Sequence, residues 1–382
     1  MSNFILAPDK MLIGDALVEG LGVTVSDGAI TAVGSLAELD TDAGVTLLQG
    51  TLVPGFFDIQ VNGGGGVLFN DDPSVEAIAA IGAAHRPFGT TAFLPTLVSD
   101  DLSKVSVAIR AVDGAIEAGV PGVAGIHLEG PFLNAEKKGI HDAGKFRRLE
   151  RAHLDLLCSL KNGVTLVTLA PELTAPELIT ELAARGVVVS AGHTAATYEQ
   201  TMASVAAGVT GFTHLFNAMT GFESRAPGAV GAAFDTPETW AGLIADGHHV
   251  HPAALRQATR AKGVDKSILV TDAMPSVGSD ALEFWLGGER ITAEGGRCTN
   301  ATGVLAGSDL DMASAVRFAA ERVGVGLEAA LVMASRSPAT FMGLDHQLGS
   351  IAPGKGADFV LLDESCRVFS VWIAGQRYEG HK

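Results

Sequence analysis

Between residues 52 and 344 the chain repeats one unit eight times: a short apolar, β-branched run, then an alanine-rich stretch of helical character. The runs are 51–59, 90–95, 123–128, 164–169, 186–191, 209–213, 240–245 and 267–270. Several open on Gly and a β-branched residue (Gly163-Val164, Gly186-Val187, Gly208-Val209), as expected where a helix ends and a buried parallel strand begins. Eight such units without a dinucleotide glycine fingerprint predict an α/β chain whose core is a closed (β/α)8 barrel of the TIM type. Two separate α/β domains are the competing organisation.

The ends read differently. Residues 1–51 are short alternating strands broken at Asp9-Lys10, Asp27-Gly28 and Asp40-Thr41-Asp42, and residues 345–382 carry a glycine-rich turn over 349–356 followed by strand-like 358–362 and 368–373. The expectation is a small β-sandwich domain built from both termini (1–51 plus 345–382), with the catalytic barrel (52–344) inserted between them.

Composition narrows the function classes. A hydrophobic fraction of 47% against 18% charged supports a large buried core in 382 residues. The net charge of −17 argues against nucleic acid and anionic membranes as partners, and requires any phosphorylated ligand to find a local cationic pocket. Three scattered cysteines without a CxxC, no signal-peptide pattern in the first twenty residues and no bilayer-length apolar run predict a reduced, cytoplasmic location.

In a barrel of this kind the chemistry lies at the carboxyl ends of the strands. There the sequence places Asp58 and Gln60, then Glu129, His193, His214, the Asp246–His249 cluster and Asp272. One carboxylate and two imidazoles (Glu129, His193, His214) are a ligand set that zinc uses when one position stays open for water. Asp272 is the candidate acid/base, able to take a proton from water and return it to a leaving nitrogen. Read singly, each histidine could be a hydrogen-bonded core residue and Asp272 a helix N-cap; together at corresponding strand ends they favour a site. Arg225 offers a guanidinium for phosphate, against the plain reading of a solvated loop charge, and His249 a second donor.

Other features read as support. His127 shares the face of Glu129 as a second-layer partner, and Asn134 to Gly139 form a lid. Gly63 to Gly66 make a flexible rim, with no Lys-Ser/Thr to complete a nucleotide loop. His85, His153, His346 and His381 are taken as surface or structural, and His248 and His251 receive no role.

The blocks Pro54–Gly63, His127-Leu128-Glu129-Gly130-Pro131-Phe132, Lys137–His141, Ala191-Gly192-His193-Thr194, Thr213–Met219, Gly242–Gly247, Thr271–Met274 and Leu305–Ser308 resemble, in order and over essentially the whole chain, the N-acetylglucosamine-6-phosphate deacetylase family of amidohydrolases. The resemblance implies metal-dependent hydrolysis of N-acetyl-D-glucosamine 6-phosphate to glucosamine 6-phosphate and acetate, in amino-sugar catabolism and cell-wall recycling. It implies metal ligation by Glu129, His193 and His214, with Asp272 catalytic. It further implies that His141, Asn217, Ala218, Arg225 and His249 hold the sugar phosphate, and that backbone at Leu305 and Ala306 closes the pocket. It also implies a homodimer with Arg225 reaching the neighbouring subunit's phosphate. Many amidohydrolases carry His-x-His after the first strand and bind two metals. Asp58-Ile59-Gln60 stands here instead, with Gln60 a possible first-strand site residue, so one divalent ion per subunit is expected, zinc first, with iron or another ion as the alternative. The rival readings are an amidohydrolase acting on a cyclic amide or on another N-acetylhexosamine phosphate, and a barrel kept as an inactive scaffold.

Overall fold

The computed structural model describes residues 3–40 and 44–381, so Thr41 and Asp42 of the expected turn lie outside the described residues. Eight parallel strands run side by side in chain order: Phe56–Val61, Thr90–Val98, Gly125–Glu129, Val164–Leu169, Val188–Ala191, Val209–Phe212, Trp240–Ile244 and Ser267–Val270. The last meets the first just beyond its end, where the Asp272 N–H donates to the Gln60 carbonyl at 3.0 Å and Val61 bridges Ala273. This is the eight-unit barrel expected from the repeat.

The strands are buried on both faces, so their sequences are continuous apolar runs and do not alternate; Thr90–Val98 is buried at every position. The connecting helices bury one stripe each. In Leu102–Glu117 the buried residues Val105, Ala108, Ile109, Val112 and Ala115 recur at the helical spacing. Tyr198–Ala207 opens on a capping box, Thr197 with Gln200, and ends at Gly208, directly before the sixth strand.

The 51–59 run is two strands, not one. Val45–Pro54 belongs to a second sheet and Phe56–Val61 to the barrel. Gly55 divides them, and a Cβ there would lie 1.9 Å from Thr91 Oγ1, so the chain can pass this close to the barrel wall only without a side chain.

The second sheet is built from both termini, in the order Gln376–Glu379, Val368–Ile373, Phe359–Leu362, Val45–Pro54, Asn3–Ile13, Leu21–Ser26, Ala29–Ser35, with Ala16–Glu19 also pairing with Asn3–Ile13. It has its own core, including Leu6, Met11, Val23, Leu52, Phe359 and Trp372.

A third sheet was not anticipated. Glu283–Leu286, Glu289–Glu294, Arg297–Asn300 and Leu305–Ser308 form an antiparallel sheet inserted after the eighth barrel strand. Its first two turns are Gly287-Gly288 and Gly295-Gly296, all four at positive φ, as two-residue hairpins of this twist require. Those Gly-Gly pairs, each between alternating residues, were the available sequence signal.

Candidate active site

His193, His214 and Asp272 each stand two residues beyond the end of a barrel strand, and Glu129 is the last residue of its own. His193, His214 and Asp272 adopt positive φ (46°, 32° and 54°), a sharp turn at the strand end that few non-glycine residues make. Glu129 Oε1 lies 3.2 Å from His193 Nε2 and 2.9 Å from His214 Nε2, and the two Nε2 atoms are 3.1 Å apart. All three side chains are buried.

These atoms fit a bound cation. A tetrahedral ion about 2.0–2.1 Å from each donor sets neighbouring donors about 3.3 Å apart, close to this triangle. Two imidazole nitrogens facing each other need a shared proton or a cation between them. The His193 Nδ1–H donates to the Lys137 carbonyl at 2.7 Å, which leaves its Nε2 lone pair for the ion. Burial would raise the Glu129 carboxyl, but hydrogen bonds from His193 and His214 hold it well below the usual range. Burial opposes charge on His214, yet Glu129 outweighs it and raises the imidazole. Glu129 is thus held ionised, the form that can ligate a cation.

Asp272 faces the triangle. Burial first, and the Glu129 charge second, push its carboxyl up to about 6. Its Oδ1 accepts from Gln60 Nε2 at 3.1 Å and from Asn62 Nδ2 at 2.7 Å, and Gln60 Nε2 also donates to Glu129 Oε2 at 3.1 Å. The first-strand pair at the site is therefore Gln60 and Asn62, which corrects the pairing Asp58-Ile59-Gln60. Asp58 lies deeper in the barrel, where its carboxylate accepts from Thr271 Oγ1 at 2.5 Å and from the Gln60 and Thr271 N–H groups. Asn62 carries a site contact that the sequence reading missed. Side chains two apart on a strand share a face, and this alternation from Gln60 was the signal.

A cavity of about 340 Å³ opens above the triangle, lined by Glu129, His141, His193, His214, Asn217, Ala218, His249, Asp272 and Leu305, among others. His141 Nδ1 accepts from the Ser99 N–H, so its proton resides on Nε2; burial holds the ring neutral, at about 3. His249 Nδ1 is 2.6 Å from Asp246 Oδ2. Ala306 does not line the cavity; it is buried in the core of the inserted sheet, while Leu305 lies at the rim. Arg225 is exposed and lines a separate cleft with Lys137, Thr197 and Tyr198, so it does not join the cavity of its own chain. No lysine or arginine is among the described residues lining the cavity.

His127 Nε2 meets Thr168 Oγ1 at 2.8 Å in the layer below, and burial lowers the ring to about 4. Of the two readings given for His85, the structural one holds: it is fully buried, with Nε2 2.8 Å from the Gly63 carbonyl, beneath the glycine-rich rim. Glu172, not singled out in the sequence, accepts from Asn134 Nδ2, Thr194 Oγ1 and the Ala195 N–H, tying the 134–139 segment to the His193 loop.

Comparison with known proteins agrees with this geometry. The amidohydrolase family profile matches residues 51–377. The chain belongs to the amidohydrolase family. An N-acetylgalactosamine-6-phosphate deacetylase of Shewanella sp. (strain ANA-3) is 46% identical over 98% of this chain and 96% of its own. An N-acetylglucosamine-6-phosphate deacetylase of Danio rerio is 40% identical over 85% of this chain and 84% of its own. The crystal structure of N-acetylglucosamine-6-phosphate deacetylase from Pasteurella multocida superposes with a TM-score of 0.94 at 30% identity, covering 99% of this chain and 100% of that one. The resemblance read from the sequence blocks is thereby upheld, and the chain is an amidohydrolase-family hydrolase related to sugar-phosphate deacetylases.

Proposed function

We propose that this amidohydrolase removes the N-acetyl group of N-acetyl-D-glucosamine 6-phosphate, releasing glucosamine 6-phosphate and acetate in amino-sugar catabolism and cell-wall recycling. The observation that carries the proposal is the meeting of the Glu129–His193–His214 triangle with Asp272 in one cavity of sugar size. The ion is one divalent cation per subunit, zinc by donor set, with iron the alternative; when bound it polarises a carbonyl and acidifies water. Asp272 takes the proton of the attacking water and delivers it to the departing nitrogen, which cannot leave as an anion. His141, with a neutral ring and its proton on Nε2, donates to the acetyl oxygen. Asn217, the Ala218 backbone and His249 hold the sugar phosphate, and Leu305 closes one side.

The phosphate needs a cation that the cavity of a single chain lacks. Arg225, exposed at the next cleft, supplies it across a homodimer interface. Three unpaired cysteines support a reduced, cytoplasmic setting. Among the described residues no helix is long and apolar enough to cross a membrane.

A second reading, the galacto epimer as the preferred substrate, is favoured by the 46% identity to the Shewanella protein. Acetate release from the 6-phosphates of N-acetylglucosamine and N-acetylgalactosamine, with the unphosphorylated sugars as controls, separates the two. Equal rates with and without phosphate reject both.

A further inference from the structure

We propose that Asn62 and Gln60 act as an amide clamp that decides which oxygen of Asp272 carries the proton, so that both are positioning residues for the deacetylation proposed above. Both amides donate to the same oxygen, Oδ1. A proton on Oδ1 would face two N–H donors that cannot accept it, so the proton is confined to Oδ2. Among the described residues, no hydrogen bond reaches Oδ2.

Asn62 is fully buried, and its backbone is tied independently, its N–H to the Ala273 carbonyl and its carbonyl to the Phe69 N–H, each at 2.9 Å. Its side-chain Oδ1 is buried with no hydrogen-bond partner among the described residues. Most buried side-chain amides satisfy both ends. Here the one bond made is the donation to Asp272.

Gln60 completes the clamp. One amide hydrogen goes to Asp272 Oδ1 and the other to Glu129 Oε2, leaving Glu129 Oε1 towards the imidazoles. Two carboxylates of like charge are thus held by one neutral group. In the step itself the water oxygen bonds to the acetyl carbon and its proton passes to Asp272 Oδ2. That proton then moves to the nitrogen as the C–N bond breaks, yielding acetic acid and the amine, which exchange the remaining proton to become acetate and the ammonium.

The test uses the full chain loaded with zinc, comparing Asn62→Ala and the isosteric Asn62→Asp with wild type. Metal per chain, melting temperature, KM and kcat are measured on N-acetylglucosamine 6-phosphate and its galacto epimer. Metal content and KM are expected to stay within about threefold while kcat falls about tenfold to a hundredfold, the loss typical of a misplaced catalytic group. Asn62→Asp, when ionised, sets an acceptor and a like charge where the donor stood; assayed above neutral pH it should be the worse of the two, and it also carries the test should the smaller variant fail to fold. Wild-type kcat in Asn62→Asp overturns the clamp, as does a loss that falls on KM or metal content while kcat holds. A wild-type chain that releases no acetate from either phosphate overturns the functional reading, and the clamp with it.

Discussion

His193, His214 and Asp272 hold a backbone conformation that costs a non-glycine residue on the order of 1–3 kcal/mol each. That strain aims three side chains at one point. Asp272→Asn keeps shape and hydrogen-bond reach but cannot take a proton. Metal content and substrate affinity should therefore persist while turnover falls roughly a hundredfold or more, read in an acetate assay beside metal analysis. Asp58, one layer deeper, tests the buried charge. Burial pushes its carboxyl up to about 7 despite hydrogen bonds from Thr271 and Gln60. The folded chain thus keeps a proton there that the unfolded chain releases near pH 4. The associated stability is fully present below about pH 4 and is lost as pH rises through about 7. Urea melts of the chelator-treated protein should show a smaller decline across that window for Asp58→Asn, and an unchanged decline would assign the dependence to other groups.

At the scale of elements, the site depends on loops that no strand pattern reveals. Glu172 gathers Asn134, Thr194 and Ala195, and the same 134–139 segment gives the Lys137 carbonyl to His193 Nδ1. Glu172→Ala should leave the barrel folded but weaken metal affinity about tenfold or more, because a ligand imidazole loses its orienting support. Dialysis against graded chelator followed by metal analysis measures this. The inserted sheet, 283–308, brings Leu305 to the cavity rim and buries Ala306 in its own core. Leu305 therefore borders the cavity, while Ala306 packs behind it. The sequence blocks marked both without separating them, because they cannot say which neighbour faces the opening.

Across the whole molecule the unsettled charge is the phosphate. A chain of net charge −17 with no lysine or arginine on the described cavity wall needs its cation from elsewhere, and Arg225 stands exposed outside its own cavity. If Arg225 acts across a dimer, mixing Asp272→Asn with Arg225→Ala subunits should restore activity. One site in each mixed pair then combines an intact Asp272 with an intact Arg225 from the other chain. Refolded or co-expressed mixtures no more active than the separate variants would place Arg225 outside the partner's site.

Much of this was legible in the chain itself. Eight apolar runs separated by helix-length stretches leave few ways to bury both faces of every strand, and a closed barrel is the one that also exposes each strand's carboxyl end at a common rim. Polar residues closing those runs therefore marked Glu129, His193, His214 and Asp272. Depth and direction within the barrel were decided only by tertiary structure. Asp58, Gln60 and Asn62 have the same strand periodicity, yet one is sunk beneath the site and two donate to Asp272. Burial layer depends on strand stagger, which pairs residues far apart in sequence and leaves no local trace.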